Sequence, residues 1–139
     1  MSNLFYLLFS YINLYKIVLS NEIMELVAIL SSGKGTWGQV AGLIGRGEWD
    51  NIILVVDSFS EKFNPSKNSE IIKVDFRQPL LQLKEDLKNK LKSKISGLEV
   101  ALSIASGEGK EHMALISALI DIPVGIKFTA LTKDGIIFF

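Results

Sequence analysis

Apolar residues in this chain follow two rhythms. Short apolar-rich runs occur at Leu26–Leu30, Ile52–Val56, Ile71–Val74 and Leu98–Ile104. Each predicts a strand, and the unbroken run Leu26–Leu30 predicts one buried on both faces. Between them the spacing lengthens. Trp37, Val40, Ala41, Leu43 and Ile44 predict a helix from about Thr36, kept short or loosely ended by Gly42, Gly45 and Gly47. Leu80, Leu83, Leu87, Leu91 and Ile95 form the clearest amphipathic stripe, opened by Pro79 and ended by Gly97. Met113, Ile116, Leu119 and Ile120 give another helix, stopped by Pro123. Val124, Ile126, Phe128 and Ala130 then alternate as in a half-buried strand. The turn Thr132-Lys133-Asp134-Gly135 leads into Ile136–Phe139, so the chain closes on a β-hairpin.

The resulting order is β-α-β-β-α-β-α-β-β. Strands alternating with helices imply an α/β, Rossmann-like three-layer sandwich: a mostly parallel sheet covered on both faces, with a C-terminal hairpin. The weak joint is Asp57–Ser69, a polar stretch containing Pro65 and at most one helical turn near Ser60–Phe63. Parallel pairing of the strands on either side needs a crossover there.

Composition narrows the chemistry. The 139 residues fit one domain, spanning 24–139, and 48% hydrophobic with 22% charged residues marks a globular chain. The formal net charge is zero, so no overall field draws it to nucleic acid or an anionic membrane. The lysines at 84, 88, 90, 92 and 94 sit with Glu85 and Asp86 on one helix without interleaved aromatics, which reads as a solvated face and not a long-nucleic-acid patch. No cysteine is present, and His112 is the single histidine, so thiolate chemistry and a multi-histidine metal site are excluded within one chain.

Residues 1–23 are apolar from Leu4 to Leu19 except where Asn13 and Lys16 interrupt. The segment lacks a basic start and a small-residue cleavage site, so a signal peptide is not expected and the location is read as cytoplasmic. It is short and polar for a membrane span. Two readings lead, an upstream start before Met24 or an amphipathic helix packed on the domain, and a membrane anchor stays open as the third.

The chemistry concentrates in two loops. In the expected 3-2-1-4-5 strand order, strands one and four are neighbours where the order reverses, and ligands of open α/β sheets bind beyond that point. The loops leaving these strands are Ser31–Thr36 (Ser-Ser-Gly-Lys-Gly-Thr) and Ala105–His112 (Ala-Ser-Gly-Glu-Gly-Lys-Glu-His). Gly33, Gly35, Gly107 and Gly109 allow close backbone approach; Ser31, Ser32, Thr36 and Ser106 offer hydroxyls; Lys34 and Lys110 add charge. A helix starts after each loop and favours anions. One composite ligand site from two distant segments is therefore expected. Each loop alone would be read as a tight strand-to-helix turn.

The spelling excludes one nucleotide motif and leaves another open. Gln39 stands where a deviant P-loop needs its second lysine, and no Thr follows. Gly33–Gly38 does fit G-x-G-x-x-G, with Asp57 as a candidate ribose partner or, equally, a loop cap. Trp37 would stack on a base or anchor the core, and its spacing favours the core; Trp49 reads as packing.

The element order and the stretch Ser103-Ile104-Ala105-Ser106-Gly107-Glu108-Gly109-Lys110, running into an apolar helix, resemble the CARF domain of CRISPR-associated proteins. In that family the loop reads Asn/Asp-x-Ser/Thr-Gly-Gly-Thr-Lys/Arg. Ser106-Gly107 and Lys110 match; Ser103 replaces the Asn/Asp and Glu108 interrupts the glycine pair. The resemblance implies a homodimer binding cyclic oligoadenylate or another nucleotide across its two-fold axis, with no cofactor and no metal. It further implies a stand-alone sensor or a ring nuclease in antiviral defence. In the latter the RNA 2′-hydroxyl attacks its own phosphate: Lys110 and Lys34 stabilise charge, Ser31 or Ser32 positions the hydroxyl, and His112, oriented by Glu108 or Glu111, moves the proton. A first-turn, solvent-facing His112 is the plain alternative. Two competing classes stay open: a non-enzymatic α/β regulatory or protein-interaction module, and a small NAD- or nucleotide-dependent enzyme using Gly33–Gly38 and Asp57.

Overall fold

The computed structural model describes residues 2–20, 23–32 and 34–139; the side chains of residues 2, 15–20 and 34 also lie outside the described set. A helix α1 (Ser2–Ser20) precedes the sheet. Then follow β1 (Glu25–Ile29), α2 (Trp37–Arg46), β2 (Asn51–Val56), β3 (Glu70–Lys73), α3 (Leu80–Leu91), β4 (Glu99–Ser103), α4 (Gly109–Asp121), β5 (Gly125–Thr132) and β6 (Gly135–Phe138). The sheet order is β3-β2-β1-β4-β5-β6. All neighbours are parallel except the terminal hairpin β5–β6. The α/β sandwich read from the sequence is the fold, and β1 and β4 flank its reversal.

The central strand explains the layering. Every residue of β1 is buried, and its pleat deals alternate side chains to opposite faces. Val27 and Ile29 join a core built with Leu83, Leu87 and Leu91 of α3 and Ala114, Leu115, Ala118 and Leu119 of α4. Leu26, Ala28 and Leu30 join a second core with Val40, Leu43 and Ile44 of α2. Burying each such Leu contributes about 1.5–3 kcal/mol. Lys84 of α3 and Asp121 of α4 tie the two helices across their exposed rim at 2.8 Å.

The joint that looked weakest closes without a helix. Residues 57–69 run over the α2 face with one 3₁₀ turn (Ser60–Lys62), and Phe63 packs into the α2 core where a crossover helix would sit. On that same face the β5–β6 hairpin lays Leu131 and Ile136 against the core. Gly42 is the residue that lets it approach, since a Cβ there would fall 2.3 Å from Leu131 Cδ2. Trp49 seals the end of α2 by donating from Nε1 to the Leu43 carbonyl at 2.7 Å.

Along residues 3–14 α1 is exposed throughout, with Phe5, Tyr6, Leu7 and Tyr11 each more than two-thirds open to solvent, so this length buries none of its apolar side chains on the domain. No helix among the described residues is long and apolar enough to cross a membrane.

One buried charge holds the opposite end of the sheet. The Glu25 carboxylate is 1% exposed. It accepts from the Ser96 and Gly97 backbone N–H groups and from Asn51 Nδ2, pinning the α3–β4 connection and β2 to the start of β1. Its period-two position alone gave no warning of this role. Glu25→Ala strands buried donors and is expected to cost about 2–3 kcal/mol in chemical denaturation; a loss below about 0.5 kcal/mol would show the carboxylate to be dispensable.

Candidate ligand site at the switch point

The two glycine-rich loops meet. The Ser31 backbone N–H donates to Ser106 Oγ at 3.2 Å, and Ser31 and Ser106 are both buried, at 1% and 0% exposure. Seventy-five positions of sequence separate these residues. They touch because β1 and β4 pair in parallel, with Ala28 opposite Ser103, and both strands release their loops at the same end.

Ser31 sits on the α3/α4 side by the alternation that places Val27 and Ile29 there. Its hydroxyl is buried and has no hydrogen-bond partner among the described residues. A buried hydroxyl without a partner is costly in a folded protein, and it commonly marks where a ligand atom or water completes the structure. The Ser103 hydroxyl of β4, which the same alternation turns to the α2 side with Ala101, also has no partner among the described residues. Ser32 and Gly35 are exposed and Thr36 is half-buried. Gly33 and the Lys34 side chain lie outside the described residues, so the expectation that Lys34 joins Lys110 on one phosphate is not addressed by the structure.

The β4 side is arranged differently from a bare phosphate cradle. Glu108 is the N-cap of α4, and its carboxylate accepts the Glu111 N–H; Glu111 returns the contact, Oε2 accepting the Glu108 N–H at 2.8 Å. This capping box satisfies N–H groups that would otherwise face an anion. Glu111 occupies the N3 position where a capping box places Glu, but Glu108 stands where the usual signature has Ser or Thr, so the box was not evident from the sequence. Glu111 is therefore spent on the helix end and is not hydrogen-bonded to His112.

His112 bends back over the loop. Its Nε2 lies 2.7 Å from the Ser106 carbonyl oxygen, which can only accept, so Nε2 carries the proton and Nδ1 is left as the ring's basic nitrogen. Gly107 lies beneath this clamp with φ +99°, a region that side chains rarely enter. A Cβ there would stand 2.7 Å from Glu111 Oε2 and 3.0 Å from His112 Nε2. Gly107 is thus required by both backbone and packing.

Lys110 points outward. Its Nζ donates at 2.8 Å to the carbonyl of Gln78, in the β3–α3 connection, a neighbour the sequence did not suggest. Asp75 of that connection is held below the ordinary carboxylate range. The Arg77 guanidinium hydrogen bond is the main cause, the Arg77 N–H the next, and the charge of Lys110 adds to them. Asp75, Arg77, Gln78, Asp57 and Phe59 line an open cleft of about 590 Å³ at the carboxyl ends of β2 and β3. Of the three residues expected to carry catalysis, none hydrogen-bonds another: Ser31 meets Ser106 Oγ, His112 meets the Ser106 carbonyl, and Lys110 meets Gln78.

Asp57 serves a turn. Its Oδ1 accepts the Phe59 and Ser60 N–H groups at 3.0 and 2.8 Å, capping the 3₁₀ turn. Ser60 Oγ in turn lies 2.7 Å from the Leu30 carbonyl at the end of β1. Trp37 is half-buried, donates from Nε1 to the Ser31 carbonyl at 3.0 Å, and packs edge-on against Phe63 and tilted against Phe59. It braces the β1 loop. Among the described residues no cluster of three His, Cys, Asp or Glu could hold a metal ion.

No protein-family model matches this chain, and no curated protein matches it.

Replacing Gly107 forces a left-handed backbone and a clash at once. Gly107→Ala is expected to cost about 1–3 kcal/mol and lower the melting temperature by several degrees, and an unchanged melting curve would show the loop to be loosely held.

Proposed function

We propose that this chain is a nucleotide second-messenger-binding domain of the kind its loops resemble, taking a cyclic oligoadenylate at the β1/β4 switch point as a homodimer. The observation that carries the reading is the Ser31–Ser106 junction, with a buried Ser31 hydroxyl left unpaired at the reversal of the sheet. Reversal points of open α/β sheets are where their ligands bind. A ligand with two-fold symmetry suits a pair of such sites facing each other.

Binding fits the local chemistry better than cleavage. A ring nuclease needs a group to move a proton and a cation beside the reacting phosphate. His112 spends only its Nε2 proton on Ser106, but Lys110, the cation such a step needs, is turned to Gln78. The α4 end bears carboxylates. We therefore read the chain as a sensor that holds its ligand intact.

A second reading has its own support. The exposed apolar side chains of Leu4, Phe5, Leu7, Leu8 and Phe9 on α1 suit a regulatory module whose partner is a protein.

Calorimetric titration of the full chain with cyclic tetra-adenylate separates the two. The expected result is binding at about micromolar strength or tighter, one ring per two chains, loss of roughly tenfold in affinity in Ser31→Ala, and no linear product on chromatography. No heat and no change in melting temperature with this ligand would overturn the nucleotide reading and favour the interaction module.

A further inference from the structure

We infer that Glu108 is a specificity-determining acceptor, so that the ligand presents a ribose hydroxyl, and not a phosphate, to the start of α4. This rests on the nucleotide reading above and divides the site into two halves of opposite preference.

The α4 half repels anions. A helix of thirteen residues would ordinarily offer free N–H groups and a positive dipole end. Here the Glu111 N–H is taken by Glu108 and the Glu108 N–H by Glu111. Glu111 is 8% exposed, so its carboxylate is fixed in the loop. Lys110, the nearest cation in sequence, is held on Gln78, and Glu108 makes no ion pair among the described residues. A phosphate placed here would meet two carboxylates. A hydroxyl would meet an exposed acceptor whose cap bond already sets its direction, because a carboxylate offers two oxygens and about four lone-pair sites and the cap uses one.

The β1 half has the opposite character. No acidic residue occurs from Ser31 to Thr36. Beneath it Ser31, 1% exposed, donates its backbone N–H to Ser106 at the root of the α4 loop, while its hydroxyl has no partner among the described residues. That orphaned hydroxyl is an independent sign that a polar group completes the junction. A nucleotide laid across the switch point meets both demands in one orientation. Its phosphate lies beside Ser31 and its sugar over Glu108. An acidic side chain reading a ribose hydroxyl is chemically ordinary in open α/β sheets. This placement of it, on the cap of α4, follows from the residue that breaks the glycine pair of the loop.

The test uses the full chain, with cyclic tetra-adenylate and its all-2′-deoxy counterpart as probes. The wild-type protein is expected to prefer the ribo ring by about tenfold or more, the scale of one charge-assisted hydrogen bond. Glu108→Gln keeps an oxygen for the Glu111 N–H and should fold. It is expected to lose about tenfold for the ribo ring, to leave the deoxy ring unchanged, and so to erase the discrimination. Glu108→Ser, another good N-cap, should behave alike and covers a misfolded first variant. Tighter binding of both rings by either variant would overturn the proposal, since the carboxylate would then only obstruct phosphate. Equal losses for both rings, or unaltered discrimination, would overturn it while leaving the nucleotide reading intact. Failure of the wild-type protein to bind either ring would overturn that reading and this inference with it.

Discussion

Everything at the candidate site depends on the parallel pairing of β1 with β4. These strands are distant in sequence, and each is followed by a chain that leaves the sheet on a different face, toward α2 and toward α4. Two loops diverging from adjacent strands leave a crevice between them, and the crevice is floored by whatever residues end the strands. Here those residues are small and hydroxylic. Ser31, Ser103 and Ser106 are all buried, yet two of their hydroxyls have no partner among the described residues. An apolar residue at position 31 or 103 would pack without such a penalty, whereas Ser106 is needed as the acceptor of the Ser31 N–H. Serine there makes sense where a ligand enters the balance.

The bracing around that floor is dense. Trp37 fixes the Ser31 carbonyl, Ser60 fixes the Leu30 carbonyl, and His112 fixes the Ser106 carbonyl. Each bond reaches across from a different segment, so these three carbonyls are held in place by the fold itself. The histidine bond orients the ring and leaves Nδ1 uncommitted, while Lys110 rests on a neighbouring connection and not on the junction.

Much of this was legible in the chain. Four apolar-rich runs and three helical stripes marked the strands and helices, and β1 and β2 read most clearly because both faces are covered and only their first residues, Glu25 and Asn51, are polar. The two loops could be paired because glycine, serine and lysine recur after strands one and four. What the pattern did not carry was direction. Lys110 looked like a phosphate ligand from its place in the loop, but it turns to Gln78, and nothing local encodes the approach of the β3–α3 connection. Glu108 looked like an intrusion, and it is a helix cap whose partner is Glu111 at N3. Glu25 escaped notice because a charged residue opening a buried strand resembles an ordinary boundary until its three donors are seen. The crossover between β2 and β3 depended on a single aromatic, Phe63, filling the place of a helix.

The central claim is that a nucleotide completes the junction of the two loops. Amide chemical shifts recorded while cyclic tetra-adenylate is added to the full chain test it at residue level. The account predicts that the largest changes fall on Ser31, Ser32, Ser106 and Glu108, together with the indole N–H of Trp37. Changes confined to the cleft at the ends of β2 and β3, or to α1, or no changes at all, would contradict it.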